Sequence, residues 1–189
     1  MTADATDRGV FDRMYDDAED PWGFTTSAYE ARKRDVTLAS LPRSRYRSAF
    51  EPGCANGVLS ERLADRCDAL LACDVAGRAV RLAQRRLGLR RTVRVERREI
   101  PRDWPTETFD LIVLSELAYF LRPDELERTL ALIAASLEAG GDLVVVDWLG
   151  PIDGYPLDGA AVHARLAAAP WRRLVEHREP EFLLEVYRA

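Results

Sequence analysis

The first residues that suggest chemistry are small ones. The run Phe50-Glu51-Pro52-Gly53-Cys54-Ala55-Asn56-Gly57 leaves a strand-like apolar stretch and leads into a helix-like one. In that setting Gly53, Ala55 and Gly57 let the chain turn tightly and bring its backbone close to a ligand, with the free amides of a helix start beyond them. Asp74 and Val75 close the next strand-like run about 20 residues on, where a carboxylate can accept both hydroxyls of a ribose. Loop and acid together point to an adenosine-type ligand. The spacing argues against a dinucleotide, whose fingerprint is Gly-x-Gly-x-x-Gly. Here the pattern is Gly-x-Ala-x-Gly with Val58 in the last glycine's place, so a pyrophosphate site is poorly made.

These residues need strands and helices to hold them. Apolar periodicity predicts strands over Ser48–Glu51, Ala69–Val75, Thr92–Glu99, Phe109–Glu116, Asp142–Leu149, Arg172–His177 and Phe182–Arg188. Helices fall near Val58–Arg66, Arg78–Leu87 and Asp124–Leu137, the last closed by Gly140-Gly141. LIVLS and LVVVD are apolar throughout, as strands covered on both faces of a parallel sheet are. The last two strands are too close in sequence for a parallel crossover and must form an antiparallel hairpin. The prediction is an α/β, Rossmann-like sheet of seven mostly parallel strands ending in that hairpin, with helices on both faces. The terminal hairpin departs from the all-parallel sheet of dinucleotide-binding folds. Residues 1–45 read as a helical cap, with helices at Asp7–Tyr15 and Ser27–Leu41 around the Asp20-Pro21-Trp22-Gly23 turn. Residues 46–189 form the core, and the 189 residues make one domain.

A net charge of −5 opposes a surface that tracks phosphates, so no nucleic-acid partner is expected. Arg78, Arg81, Arg85 and Arg86 lie at helical spacing around Val80, Leu82 and Leu87, which describes a wet helix face. The N-terminal stretch lacks the apolar run of a signal peptide and no window reaches membrane-span length, so a cytoplasmic location without membrane contact is expected. Cys54, Cys67 and Cys73 follow no zinc or disulfide spacing, and no His, Cys and carboxylate cluster has metal-ligand spacing, so no metal is expected.

EPGCANG, LLACD, FDLIVLSE and LEAGGDLVVVDW resemble, in order, the motifs of class I S-adenosylmethionine-dependent methyltransferases. DPWGFTTSAYEARK, RYRSAFEPGCANGVLSERLA and HREPEFLLEVY resemble, more narrowly, the nodulation protein S group of N-methyltransferases. The resemblance implies S-adenosyl-L-methionine as cofactor and a small-molecule acceptor amine, in that group the glucosamine amine of a deacetylated chitooligosaccharide. It places Glu51 and Gly53 by the methionine end, Asp74 on the ribose, Glu99 and Ile100 at the adenine, and Ser115 and Glu116 before the sulfonium and the substrate. Ala55 departs from the group's usual glycine.

For an amine acceptor, Glu116 at a strand end is the first candidate to take the proton or hold the ammonium form, the plain alternative being a helix cap. Trp22, Tyr29, Tyr119, Trp148 and Tyr155 offer faces suited to sugars or cations, and Trp22 stands out because DPWG makes a turn and not a core stretch. Arg32 can bind a carboxylate through its guanidinium fork or remain an exposed helix residue. His163, on the helix-like LDGAAVHARL, is a candidate substrate contact or a surface residue. The leading expectation is N-methylation of an amino sugar or similar small amine. O-methylation of a small metabolite, or cofactor binding without turnover, are the alternatives.

Overall fold

The computed structural model describes residues 9–189. Two cap helices, α1 (Gly9–Asp17) and α2 (Ala28–Ala39), precede a chain of alternating elements. These run β1 (Tyr46–Pro52), α3 (Val58–Leu63), β2 (Cys67–Asp74), α4 (Gly77–Leu87), β3 (Val93–Arg97), β4 (Phe109–Ser115), α5 (Pro123–Ser136), β5 (Leu137–Trp148), α6 (Gly159–Leu166), β6 (Arg172–Arg178) and β7 (Phe182–Arg188). No described helix is long and apolar enough to cross a membrane.

The seven strands form one sheet in the order β3-β2-β1-β4-β5-β7-β6. The first five are parallel, and β7 runs antiparallel between β5 and β6. The predicted hairpin is therefore present, but its second strand is the inner one. Alternate residues explain the continuous apolar runs: Phe50, Ile112 and Leu143 belong to one buried cluster, Ala49, Leu111 and Val144 to another. Both faces of the central strands are covered, as parallel sheets require. The edge strands are the polar ones, with Arg94 and Arg97 exposed on β3 and Arg172, Arg173 and Arg178 exposed on β6.

Strand order reverses between β1 and β4, which are neighbours although β2 and β3 separate them in sequence. The crossovers from these two strands leave in opposite directions, so a crevice opens at their carboxyl ends. Glu51 lies in the last two residues of one of them, and Ser115 ends the other.

Several boundaries differ from the sequence reading, each for a local reason. The predicted start of α1 at Asp7 lies outside the described residues. Gly140-Gly141 does not close α5, which stops at Ser136; β5 follows at once, and Gly140, at φ 74, gives the strand a bend at its entry. β3 ends at Arg97 because the next residues turn, the amide of Glu99 donating to Asp103 at 3.0 Å. α2 begins where predicted, with the Ser27 hydroxyl accepting from the Glu30 amide at 3.3 Å.

Gly57 packs the helices behind the glycine loop. It has φ 80, and a Cβ there would lie 3.0 Å from the Cα and Cβ of Ala83 on α4. Replacing Gly57 with Ala is expected to cost roughly 1–3 kcal/mol in urea unfolding, since both backbone strain and overpacking act. Unchanged stability would show that α3 and α4 are not in close contact there.

Candidate functional site

A cleft of about 320 Å³ lies between the cap and the carboxyl ends of β1 and β4. Its floor is the glycine loop. Gly53 and Cys54 both donate their amides to the carbonyl of Cys73, at 2.7 and 2.9 Å, which fastens the loop across the end of β2. Gly53 has φ 76, and Ala55 stands at φ 51 without being glycine, which puts a left-handed residue of modest cost in the wall. A Cβ on Gly53 would come within 3.3 Å of Leu117 and narrow the cleft.

Asp74 closes β2 at the cleft wall. Its two oxygens accept from the amides of Ala55 at 3.0 Å and Ala76 at 2.9 Å, and burial pushes its carboxyl up to about 6 against those hydrogen bonds. Each oxygen keeps a lone pair for a ligand. Glu51 lies deeper. It is buried, its Oε2 has no hydrogen-bond partner, and burial, aided by the nearby Asp74 charge, pushes it up to about 8.

The other end of the cleft is built around Glu116, just beyond β4. Its backbone is at φ 57, a conformation that L-residues other than glycine rarely hold and that marks strain. Its Oε1 accepts from Lys33 Nζ at 2.6 Å; its Oε2 accepts from the amide of Trp148 at 3.1 Å and from the hydroxyl of Tyr119. Lys33 also donates to Glu30 at 2.9 Å and stands 4.8 Å from the centre of the Tyr29 ring. Burial alone would push the Lys33 ammonium down, but Glu116 and Glu30 outweigh it and hold the group above the ordinary lysine range. Burial and the Glu116 charge hold the Tyr119 hydroxyl well above the usual tyrosine value.

The cap closes this space. Asp20 organises the turn, accepting from the amides of Phe24 and Thr25, each at 2.8 Å, and from Asn56 of the glycine loop at 3.2 Å. Trp22 packs edge-on to Tyr15 at 5.5 Å, and Phe11 reaches across the cleft to Phe120 at 5.0 Å. The wet arginines of α4 reach the cap: Arg78 pairs with Asp16 of α1 at 3.2 Å and Arg85 with Glu19 just beyond α1 at 2.8 Å.

Comparison with known proteins gives this geometry a lineage. The sequence profile of the Nodulation protein S (NodS) family matches residues 5–146. The chain belongs to the nodulation protein S family. It is 37% identical to Nodulation protein S of Bradyrhizobium diazoefficiens over 105 residues, 55% of this chain and 50% of that protein. It is 30% identical to Nodulation protein S of Rhizobium tropici over 129 residues, 67% of this chain and 54% of that one. The chain thus spans about half the length of the curated relatives it matches. A solved structure from Pseudomonas syringae is 45% identical, with a TM-score of 0.77, covering 86% of this chain and 100% of that one. The N-methyltransferase NodS from Bradyrhizobium japonicum WM9, solved in complex with S-adenosyl-L-homocysteine, is 25% identical with a TM-score of 0.84, covering 95% and 96%.

Within this family frame, the cleft gathers most of the sequence-predicted residues. Trp22, Glu51, Gly53, Ala55, Asp74, Val75, Glu99, Ile100, Ser115, Glu116 and Tyr119 line it, and so do Tyr29 and Trp148. Three predicted site residues do not. Arg32 points outward, its side chain 62% exposed, and pairs with Glu179 at 2.7 Å. Arg34 lines the cleft instead, with one guanidinium nitrogen buried and without a partner. Gly57 serves helix packing behind the loop. His163 is neither at the surface nor at the cleft: it is buried against the sheet, its Nδ1 2.6 Å from Glu185 Oε2. Tyr155 also lies outside the lining, stacked edge-on to Phe120 at 4.8 Å.

Lys33 is the residue that sequence reasoning missed. The signal was available. Lys33 is the only lysine in the chain, every other member of its 27 Lys and Arg being arginine.

A pH dependence follows from Glu51. Its folded value of about 8 exceeds the ordinary 4.5, so folding takes up a proton inside that window. The stability due to the protonated form is complete below pH 4.5 and is lost as pH rises to about 8. Glu51→Gln is expected to flatten the fall in melting temperature over that range and to be the more stable protein at the alkaline end, by a few kcal/mol at most. Parallel profiles for the two proteins would show that Glu51 is ionised throughout.

Proposed function

We propose that the chain is an S-adenosylmethionine-dependent methyltransferase that acts on the amine of a small acceptor, an amino sugar being the first class to test. The observation that carries this reading is Asp74: a carboxylate at the cleft wall, past a glycine loop, with one lone pair on each oxygen still available to a ribose. The unpartnered groups fit the same ligand. An amino-acid zwitterion has a carboxylate for Arg34 Nη1 and an ammonium group for Glu51 Oε2, and these are polar atoms whose burial without a partner is otherwise costly. Val75, Glu99 and Ile100 also line the cleft, and the two apolar side chains suit a flat base. The relative whose fold matches over 95% of this chain was crystallised with S-adenosyl-L-homocysteine, which supports the assignment.

When bound, S-adenosylmethionine would bring an already activated methyl group. The residues here have only to align the acceptor and keep water out. Ser115 ends β4 and Glu116 follows it at the acceptor end, which Tyr29, Tyr119 and Trp148 wall. Glu116 already holds three donors, so it acts by positioning: it fixes the Tyr119 proton, which leaves the phenol oxygen's lone pairs to receive an acceptor N–H or O–H. The cap, tied to the loop through Asp20 and Asn56, covers the site.

Three measurements test this. S-adenosylhomocysteine should raise the melting temperature and NAD should not, because only a ligand selective for the folded state stabilises it; the reverse result sinks the reading. Asp74→Ala, checked by circular dichroism to be folded, should weaken S-adenosylhomocysteine by about 2–4 kcal/mol in calorimetry. Incubation of amine, hydroxyl and carboxylate acceptors with labelled cofactor, read by mass spectrometry, should show the gain of a methyl group on amines.

A further inference from the structure

At the acceptor end, Glu116, the carboxylate that the sequence offers to a substrate amine, and Glu30 of the cap already have a cation between them. Lys33 Nζ is 2.6 Å from Glu116 and 2.9 Å from Glu30, over the Tyr29 ring at 4.8 Å. Two carboxylates and an aromatic face are the recognition set for an ammonium ion. The occupant is buried, its side chain 5% exposed, and it reaches the position from α2, the cap helix. A compact ammonium suits this geometry where a guanidinium fork does not, which accounts for the single lysine in an arginine-rich chain.

We propose that Lys33 is a tethered cation filling the ammonium position of the acceptor site, so that the acceptor is selected as an uncharged nucleophile and not as an ammonium ion. An incoming ammonium would have to displace a lysine held on the same chain at high effective concentration, or settle beside it against like-charge repulsion. A neutral amine meets neither obstacle, and it carries the lone pair that methylation needs. Lys33 is then a specificity-determining residue. It also joins the cap to the sheet, since its two carboxylate partners lie on α2 and at the end of β4. The selection of an uncharged acceptor rests on the methyltransferase reading; the occupied ammonium position does not.

The test is to empty the position and offer it a free ion. With S-adenosylhomocysteine present, methylammonium chloride should raise the melting temperature of Lys33→Ala over a sodium chloride control. It should bind that variant at least about tenfold more tightly than the wild-type protein. The response should vanish in the Lys33→Ala, Glu116→Gln double variant. A folded Lys33→Ala protein indifferent to methylammonium, or a wild-type protein that responds equally, overturns the proposal.

A second measurement needs no loss of the lysine. In amine-directed acetylation of the native protein, followed by peptide mass spectrometry, Lys33 should stay unmodified while an added reference peptide with a free lysine reacts, and should become reactive in Glu116→Gln. Acetylation of wild-type Lys33 at the rate of a free lysine also overturns it. If S-adenosylhomocysteine fails to bind the wild-type protein while Lys33→Ala still answers to methylammonium, the cofactor reading falls and the cation position stands.

Discussion

The reversal of strand order between β1 and β4 is the constraint on which everything else depends. Parallel strands must be joined by crossovers, crossovers have one hand, and where successive ones depart to opposite sides nothing covers the strand ends between them. That gap is where the glycine loop, Asp74, Ser115 and Glu116 meet, although they come from three separate strand ends. The apolar runs of β1, β4 and β5 keep the gap fixed, because their side chains alternate between two buried clusters and cannot slip by one residue without exchanging them.

A rigid gap can hold groups in states they would not choose alone. Glu116 keeps a left-handed backbone, Ala55 another, and Glu51 and Arg34 keep buried polar atoms unpaired. Such costs cluster where a structure is organised for a ligand in advance. Lys33 is a buried charge held by two carboxylates, and its compensation links cap and sheet. Buried pairs of this kind add little net stability against an apolar replacement, but breaking one side is expensive, so the arrangement fixes geometry more than it strengthens the fold.

Much of this was legible in the sequence because it depends on order and local rules. Unbroken apolar runs mean strands buried on both faces, short spacing means a hairpin, and a small-residue turn followed by a distant acid means a ligand loop. What escaped depends on angular position. Arg32, Lys33 and Arg34 are consecutive, and successive residues of a helix point about 100° apart. A carboxylate-binding arginine chosen from this run falls outside or inside the cleft according to a helix phase that charged neighbours do not reveal. The phase was written in polar residues: Glu30, Lys33 and Thr37 share one buried face of α2, at the spacing usually sought in apolar side chains. His163 was misplaced for a related reason. Its helix looks polar in sequence, yet His163 is buried with its Nδ1 held by Glu185 of β7, a partner 22 residues away.

The placement of β7 between β5 and β6 has a consequence for how molecules of this protein meet one another. An open sheet ends in two rows of main-chain groups ready to pair with a further strand. Because the apolar β7 lies inside, the rim is left to β6 on one side and β3 on the other, and both carry exposed arginines. A second molecule approaching strand to strand would have to strip water from charged, ion-paired side chains at either rim. The chain order that puts the last strand next to last in the sheet thus makes the sheet finite, and it does so with residues that contribute nothing to the cleft.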